Sequence, residues 1–99
     1  MFKKGEPQSG TYQGSLELVP AQLTEVLGQP DDAVRGGVYM IHYALADEAG
    51  HAVRLYTQGY HPYSCARQMC HYRVATSYPE DMTAFIAWVK EAGLAYKVL

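Results

Sequence analysis

Residues 11–19 alternate between mostly apolar and mostly polar side chains, and this period of two predicts a half-buried β-strand. The apolar positions predicted to face the core are Tyr12, Leu16 and Leu18, and the positions predicted to face the other way are Gln13, Ser15 and Glu17. We therefore expect this segment to be the first strand of a sheet with one covered side.

Helical spacing follows this strand and recurs near the carboxyl end of the chain. Residues 20–27 begin with a proline and carry apolar residues at 23, 26 and 27, and Gly28 and Pro30 provide the signals that end a helix. A second helix is predicted after Ser77, which forms a capping-box pattern with Glu80, and Pro79 is tolerated in its first turn. Its apolar positions repeat at intervals of three and four, and they are Met82, Phe85, Ile86 and Val89.

The central part of the chain carries strand-forming residues. Residues 38–46 and 51–58 flank the turn at residues 47–50, so they predict a β-hairpin. Residues 31–37 and 59–67 are predicted loops, and residues 68–76 form a fourth predicted strand. Residues 94–99 fit either a short edge strand or a segment that covers the core.

This order predicts an α+β fold with two layers. We expect an antiparallel sheet in the order β-α-β-β-β-α, with a terminal strand as an option and with both helices on one face. Residues 10–99 would form the single domain, and residues 1–9, which lack periodicity, would form a flexible N-terminal arm.

Composition and charge exclude several classes of protein. The 99 residues are 48% apolar with a net charge of −2, which argues against disorder and against a general nucleic-acid binder. No apolar run approaches the roughly 20 residues of a membrane helix, and polar residues interrupt any secretion signal after Lys4. We therefore expect a cytoplasmic protein that does not enter the membrane.

The sheet side opposite the helices is the first candidate site. If every strand register holds, it collects Glu17, His42, Arg54, Tyr56, His71 and Arg73. The catalytic hypothesis is a phosphate-handling, ribonuclease-like enzyme that uses Glu17, His42, His71 and Arg73, because carboxylate and imidazole can exchange protons while arginine holds a phosphate. These residue types resemble those of small guanyl-preferring ribonucleases. The alternative is that they are ordinary solvated side chains of an exposed sheet face.

A second candidate site is a histidine and cysteine cluster. Four potential zinc ligands lie within eleven residues, and they are His61, Cys65, Cys70 and His71. The spacing departs from that of paired zinc knuckles, so the alternative is a chain without a cofactor in which Cys70 is simply a buried apolar residue.

The third candidate is a surface for a protein partner. The chain has nine tyrosines, and tyrosine, arginine and methionine are enriched at the centres of protein interfaces. The candidate contact residues are Tyr56, Tyr60, His61, Tyr63, Arg67 and Met69, joined by Arg54 and Arg73 from the sheet. Most of them fall in the predicted loop, and an open sheet face or edge could also pair two copies of the chain.

Residues 10–30 and the hairpin that ends in Leu55-Tyr56 resemble small accessory proteins encoded by bacteriophages. The resemblance depends on Leu23, Val26 and Leu27, followed by the turn Gly28-Gln29-Pro30. It implies a non-enzymatic protein that binds and blocks a host complex, such as an anti-CRISPR or related anti-defence inhibitor in the cytoplasm of a bacterium. Residues 59–71 have no counterpart in this resemblance, so the sequence leaves the partner unidentified.

Overall fold

A computed structural model describes residues 1–5, 10–35, 38–58 and 67–99. Within these ranges the chain forms two helices and seven strands, all paired in antiparallel fashion in one sheet. The elements are β1 (Lys3–Lys4), β2 (Thr11–Leu18), α1 (Pro20–Leu27), β3 (Asp31–Arg35), β4 (Val38–Ala46), β5 (Ala52–Gln58), β6 (Cys70–Thr76), α2 (Pro79–Glu91) and β7 (Tyr96–Val98). The prediction of a small α+β domain is confirmed.

The strands run in the spatial order β1-β4-β5-β6-β2-β7, and β3 also pairs with β4. The hairpin of β4 and β5 has the predicted partners, and β2 pairs with β6 over most of its length. The sequence-based order lacked β1 and β3. Polar residues 31–35 form a strand despite their composition, because an edge strand fills its backbone hydrogen bonds on one side and tolerates charged side chains.

The amino end of the chain is part of the domain, which corrects the prediction of a flexible arm for residues 1–5. Lys3 and Lys4 pair with Ala46 and Leu45 of β4. Phe2 is only 2% exposed, and its ring packs edge-on against Phe85 and Trp88 at centroid distances of 5.6 and 5.7 Å. The short segment is ordered because one large aromatic side chain enters the core beside a strand that pairs. Residues 6–9 lie outside the described part of the chain.

The core draws on alternating strand positions and on both helices. Its members are Phe2, Leu16, Leu18, Leu23, Leu27, Tyr43, Leu45, Val53, Leu55, Cys70, Tyr72, Val74, Phe85, Trp88, Val89 and Leu94. On the described parts of β4, β5 and β6, the core residues alternate with residues of the opposite face, as the period of a strand requires. The phenol of Tyr43 on β4 donates a hydrogen bond of 2.9 Å to the carbonyl oxygen of Gly28, and this bond connects the sheet to the end of α1.

Tyr12 does not face the core, which corrects its predicted orientation. The ladder between β2 and β6 pairs Tyr12 with Ala75 and Gly14 with Val74, so Gln13 is an extra residue in a β-bulge. One extra residue reverses the alternation, and Tyr12 therefore points to the side opposite Leu16 and Leu18. Tyr12 is accordingly 55% exposed.

The helices are short and their ends follow local chemistry. Both begin at a proline, and the N-cap of α2 is Tyr78, one residue after the Ser77 that the sequence predicts as the start of a capping box. Gly28 and Gly93 follow the helices with positive φ angles, which glycine adopts without strain. Over the ranges that the structure covers, neither helix has the length and apolar character needed to cross a membrane.

Candidate interaction surface on the outer face of the sheet

The strand registers bring three polar side chains into one row on the outer face, which we define as the side of the sheet opposite the core residues. His42 on β4 pairs with Tyr56 on β5, and Tyr56 pairs with Arg73 on β6. The row continues to Ser15 on β2, which pairs with Arg73. Directly paired residues have Cβ atoms about 4.5–5.5 Å apart, so their side chains are in reach of one another.

The neighbouring row has a small residue at its centre. Ala75 pairs with Arg54 on one side and with Tyr12 on the other. Ala75 belongs to the outer face by its register, yet it is only 7% exposed. The longer side chains around Ala75 therefore shield it from solvent.

Each arginine of these rows lies near a tyrosine ring. The guanidinium carbon of Arg54 is 5.8 Å from the ring centroid of Tyr56, and that of Arg73 is 5.8 Å from the ring centroid of Tyr12. The hydroxyl groups of Tyr12 and Ser15 are 2.9 Å apart and share a hydrogen bond. We call Tyr12, Arg54, Tyr56 and Arg73 the Arg–Tyr patch.

The two guanidinium groups form no ion pair with a carboxylate among the described residues. The carboxylate closest to Arg73 by register is Glu17, which is diagonal to it across β2 and β6. Arg73 instead lies over Tyr12, which belongs to the neighbouring row on the side away from Glu17. The patch thus presents two positive charges on a chain whose net charge is −2.

His42 ends the first row near the edge of the sheet. Its Nε2 atom is 4.0 Å from the carboxylate of Asp31, and its Nδ1 atom is buried with no hydrogen-bond partner among the described residues. Asp31 also lies 3.9 Å from the Nζ atom of Lys4, and that ammonium group donates a hydrogen bond of 2.7 Å to the carbonyl oxygen of Gln29. This cluster places charge beside the patch and connects it to the N-terminal strand.

The residues of the catalytic hypothesis share the outer face but divide into two groups. Glu17 pairs with His71 on β6 and with Lys97 on β7, whereas His42 lies on β4. Three strand spacings separate β4 from β2, which is about 14 Å. Glu17 and His42 therefore do not flank one reacting phosphate in this arrangement, while Glu17 and His71 are direct neighbours.

Two of the four predicted zinc ligands, Cys70 and His71, lie on opposite sides of the sheet. Cys70 is in the core opposite Leu18, and His71 is exposed on the outer face opposite Glu17. Adjacent strand residues point to opposite sides of a sheet, so these two side chains do not bind the same ion. His61 and Cys65 lie outside the described residues, and within the described ranges no three histidine, cysteine or acidic side chains are placed to hold a metal.

The predicted contact residues are described only in part. Tyr60, His61 and Tyr63 lie outside the ranges that the structure covers, and Arg67 and Met69 are exposed just before β6. The structure brings together the other three, Arg54, Tyr56 and Arg73, and adds Tyr12. The interpretation of the sequence missed Tyr12, although a glycine at residue 14 within a strand pattern is a known signal of a bulge.

A second polar cluster shapes the turn between β4 and β5. The Oδ1 atom of Asp47 accepts hydrogen bonds from the backbone N–H groups of Ala49 and His51, and its Oδ2 atom is 2.7 Å from Nδ1 of His51. The hydrogen bond to Asp47 raises the pKa of His51 above its usual value. Burial opposes ionisation of Asp47, but its hydrogen bonds with His51 outweigh burial and lower the pKa of the carboxyl group.

Comparison of the chain with protein-family models, with curated proteins and with solved structures finds no match. The geometry of the outer face is therefore the basis for inferring a function. The feature of that face with the most specific chemistry is the Arg–Tyr patch.

Proposed function

We propose that the protein is a non-enzymatic binding module that holds a protein partner against the outer face of the sheet. The observation that carries this proposal is the Arg–Tyr patch, in which two guanidinium groups on neighbouring strands lie near tyrosine rings and lack a carboxylate partner among the described residues. Both helices contribute to the single core, which supports an arrangement with both on one face and the other face left for the partner.

The patch has the chemistry of an interface centre. Tyrosine and arginine are the residue types that most often dominate binding energy, because they offer large contact area and several hydrogen-bond donors. The neighbouring rings restrict the two guanidinium groups before binding, and this lowers the conformational entropy lost on association. Arg67 and Met69 are exposed just before β6 and are available for contact with a partner.

The kind of partner follows from the resemblance to small phage accessory proteins. A protein of that class, acting in a bacterial cytoplasm, would occupy a surface of a host defence complex and block it, as an anti-CRISPR protein does. The proposal needs no catalytic group and no metal. A second copy of the chain is the alternative partner, because the same face could pair with itself.

Affinity capture from a bacterial lysate tests the proposal. The tagged chain is compared with Arg73→Ala, Tyr12→Ala and the matched control Lys90→Ala, whose exposed side chain lies in the last turn of α2. We expect the two patch variants to lose a captured protein that the wild type and Lys90→Ala retain, while their thermal unfolding stays close to that of the wild type. Equal capture by all four proteins would contradict the proposal. Light scattering of the purified chain shows whether self-association takes the place of a partner.

The ribonuclease-like alternative receives less support from the geometry. Its acid and base candidates Glu17 and His42 are three strands apart, and only His71 is next to Glu17. Incubation with labelled RNA provides the direct comparison. Cleavage that disappears in both His42→Ala and His71→Ala would replace the binding proposal with the enzymatic one.

A further inference from the structure

We infer that the Arg–Tyr patch recognises an extended acidic segment of its protein partner, with carboxylates on alternate residues. This inference rests on the proposed function and specifies the chemistry of the partner. It starts from the charge of the patch, which the described part of the chain leaves without a carboxylate partner. A planar guanidinium group binds a carboxylate through two parallel hydrogen bonds, so each arginine can take one acidic side chain.

The spacing of the two arginines selects the form of the segment. Arg54 pairs with Ala75, and Arg73 is two residues before Ala75 on β6, so the arginines are diagonal neighbours across β5 and β6. Diagonal neighbours have Cβ atoms about 7 Å apart. Alternate residues of an extended chain are also separated by about 7 Å and point to the same side, whereas residues four apart on a helix are about 5–6 Å apart.

The tyrosines favour this mode over a nucleic acid. Each ring already lies near a guanidinium group, which limits its use as a stacking platform for bases. Binding of a polynucleotide gains most of its free energy from several basic residues that neutralise phosphates, and the patch has two on a chain of net charge −2. A short protein segment with two carboxylates needs only the two guanidinium groups that the patch provides.

The buried floor of the patch supports direct docking of a backbone. Ala75 lies between Arg54 and Tyr12 and is the small residue at the centre of the patch. An extended segment that crosses above it would place one carboxylate at Arg54 and the next at Arg73. The partner side chains between them would point away from the sheet.

Two peptides of identical composition test the inference. The first is acetyl-Thr-Glu-Thr-Glu-Thr-amide, which places both carboxylates on one side of an extended chain, and the second is acetyl-Thr-Thr-Glu-Glu-Thr-amide, which places them on opposite sides. Titration into the isotope-labelled full chain, followed by NMR, measures both the affinity and the location of binding. We expect the first peptide to bind roughly tenfold more tightly, which is the effect of one additional charged contact, and to shift signals of β5 and β6.

Variants identify the groups responsible. Arg73→Gln and Arg54→Gln should each remove the difference between the peptides, and Arg73→Lys should recover only a fraction of it, because lysine keeps the charge and loses the planar fork. Lys90→Gln, on α2, should leave both affinities unchanged. A uridine hexanucleotide serves as the competing probe.

The outcomes separate this inference from the proposed function. Equal affinity for both peptides, or a difference that persists in both glutamine variants, would overturn the inference, while loss of partner capture in Arg73→Ala would still support the binding module. Tighter binding of the uridine hexanucleotide than of either peptide, abolished by Arg73→Gln, would overturn the inference in favour of RNA. Unchanged partner capture in the patch variants would overturn the proposed function itself.

Discussion

Replacement of Phe2 by alanine tests the corrected role of the N-terminal segment. Phe2 is 2% exposed, and its ring contacts Phe85 and Trp88 of α2 edge-on. Its neighbours Lys3 and Lys4 pair with the end of β4. The phenylalanine therefore connects the sheet to the longer helix, and its removal leaves a gap between them.

The expected loss of stability is large for a residue so near the start of the chain. Removal of a buried phenylalanine ring lowers the free energy of unfolding by about 3–5 kcal/mol. We expect a value near the lower end, about 3 kcal/mol, because the short segment that carries Phe2 can shift and let the gap partly close. In a domain of this size, that change lowers the midpoint of thermal unfolding by roughly 12–24 °C.

Urea unfolding followed by tryptophan fluorescence measures this change, since Trp88 is the single tryptophan and lies in contact with Phe2. Lys3→Ala is the matched control, because it alters the same strand at an exposed position. A loss below about 1 kcal/mol in Phe2→Ala, similar to that of the control, would refute the docking of the segment in the core.

Three further predictions concern the turns and helix ends. Because the pKa of His51 is raised, its interaction with Asp47 stabilises the fold fully below pH 6.5, and this stabilisation is lost as the pH rises through the raised pKa. Asp47→Asn should therefore reduce the change in the urea midpoint between pH 6 and pH 8. An unchanged pH dependence of the midpoint in this variant would contradict a stabilising interaction between His51 and Asp47. Because the pKa of Asp47 is lowered, its own contribution is lost only as pH falls below 3.8. Gly93→Ala should lower the free energy of unfolding by about 1 kcal/mol, since alanine is strained at a φ of 72°, and an unchanged midpoint would contradict this. Tyr43→Phe should cost about 1 kcal/mol through loss of the hydrogen bond to Gly28, measured in the same way, and a neutral effect would show that water replaces it.

The fold class and most of the core follow from local patterns. Val53 and Leu55 on β5 repeat with the period of a strand, and both lie in the core. Of the four apolar positions predicted for the second helix, Phe85 and Val89 lie in the core and Met82 and Ile86 pack against it. Apolar burial depends on which face a side chain occupies, and the period fixes that face wherever the element is regular. The same alternation predicts that both arginines of the patch lie on the outer face, and the strand registers agree.

Three features required the tertiary structure. The side occupied by Tyr12 depends on the bulge at Gln13, because one inserted residue reverses every earlier position of a strand without altering its composition. Residues 31–35 form a strand because they pair with the edge of β4. The first residues of the chain are held in the domain by the contact of Phe2 with α2.

The candidate site also combines features that the sequence predicts with features that only the tertiary structure decides. The residue types needed for binding are present in the sequence, but the association of Arg54 with Tyr56 and of Arg73 with Tyr12 depends on which strands are neighbours and in which register. Sequence alone thus determined the periodicity that buries the core and exposes the opposite face. Only the pairing of strands distant in the chain decided which exposed side chains meet, because those contacts arise from the hydrogen-bond ladder and not from local propensity.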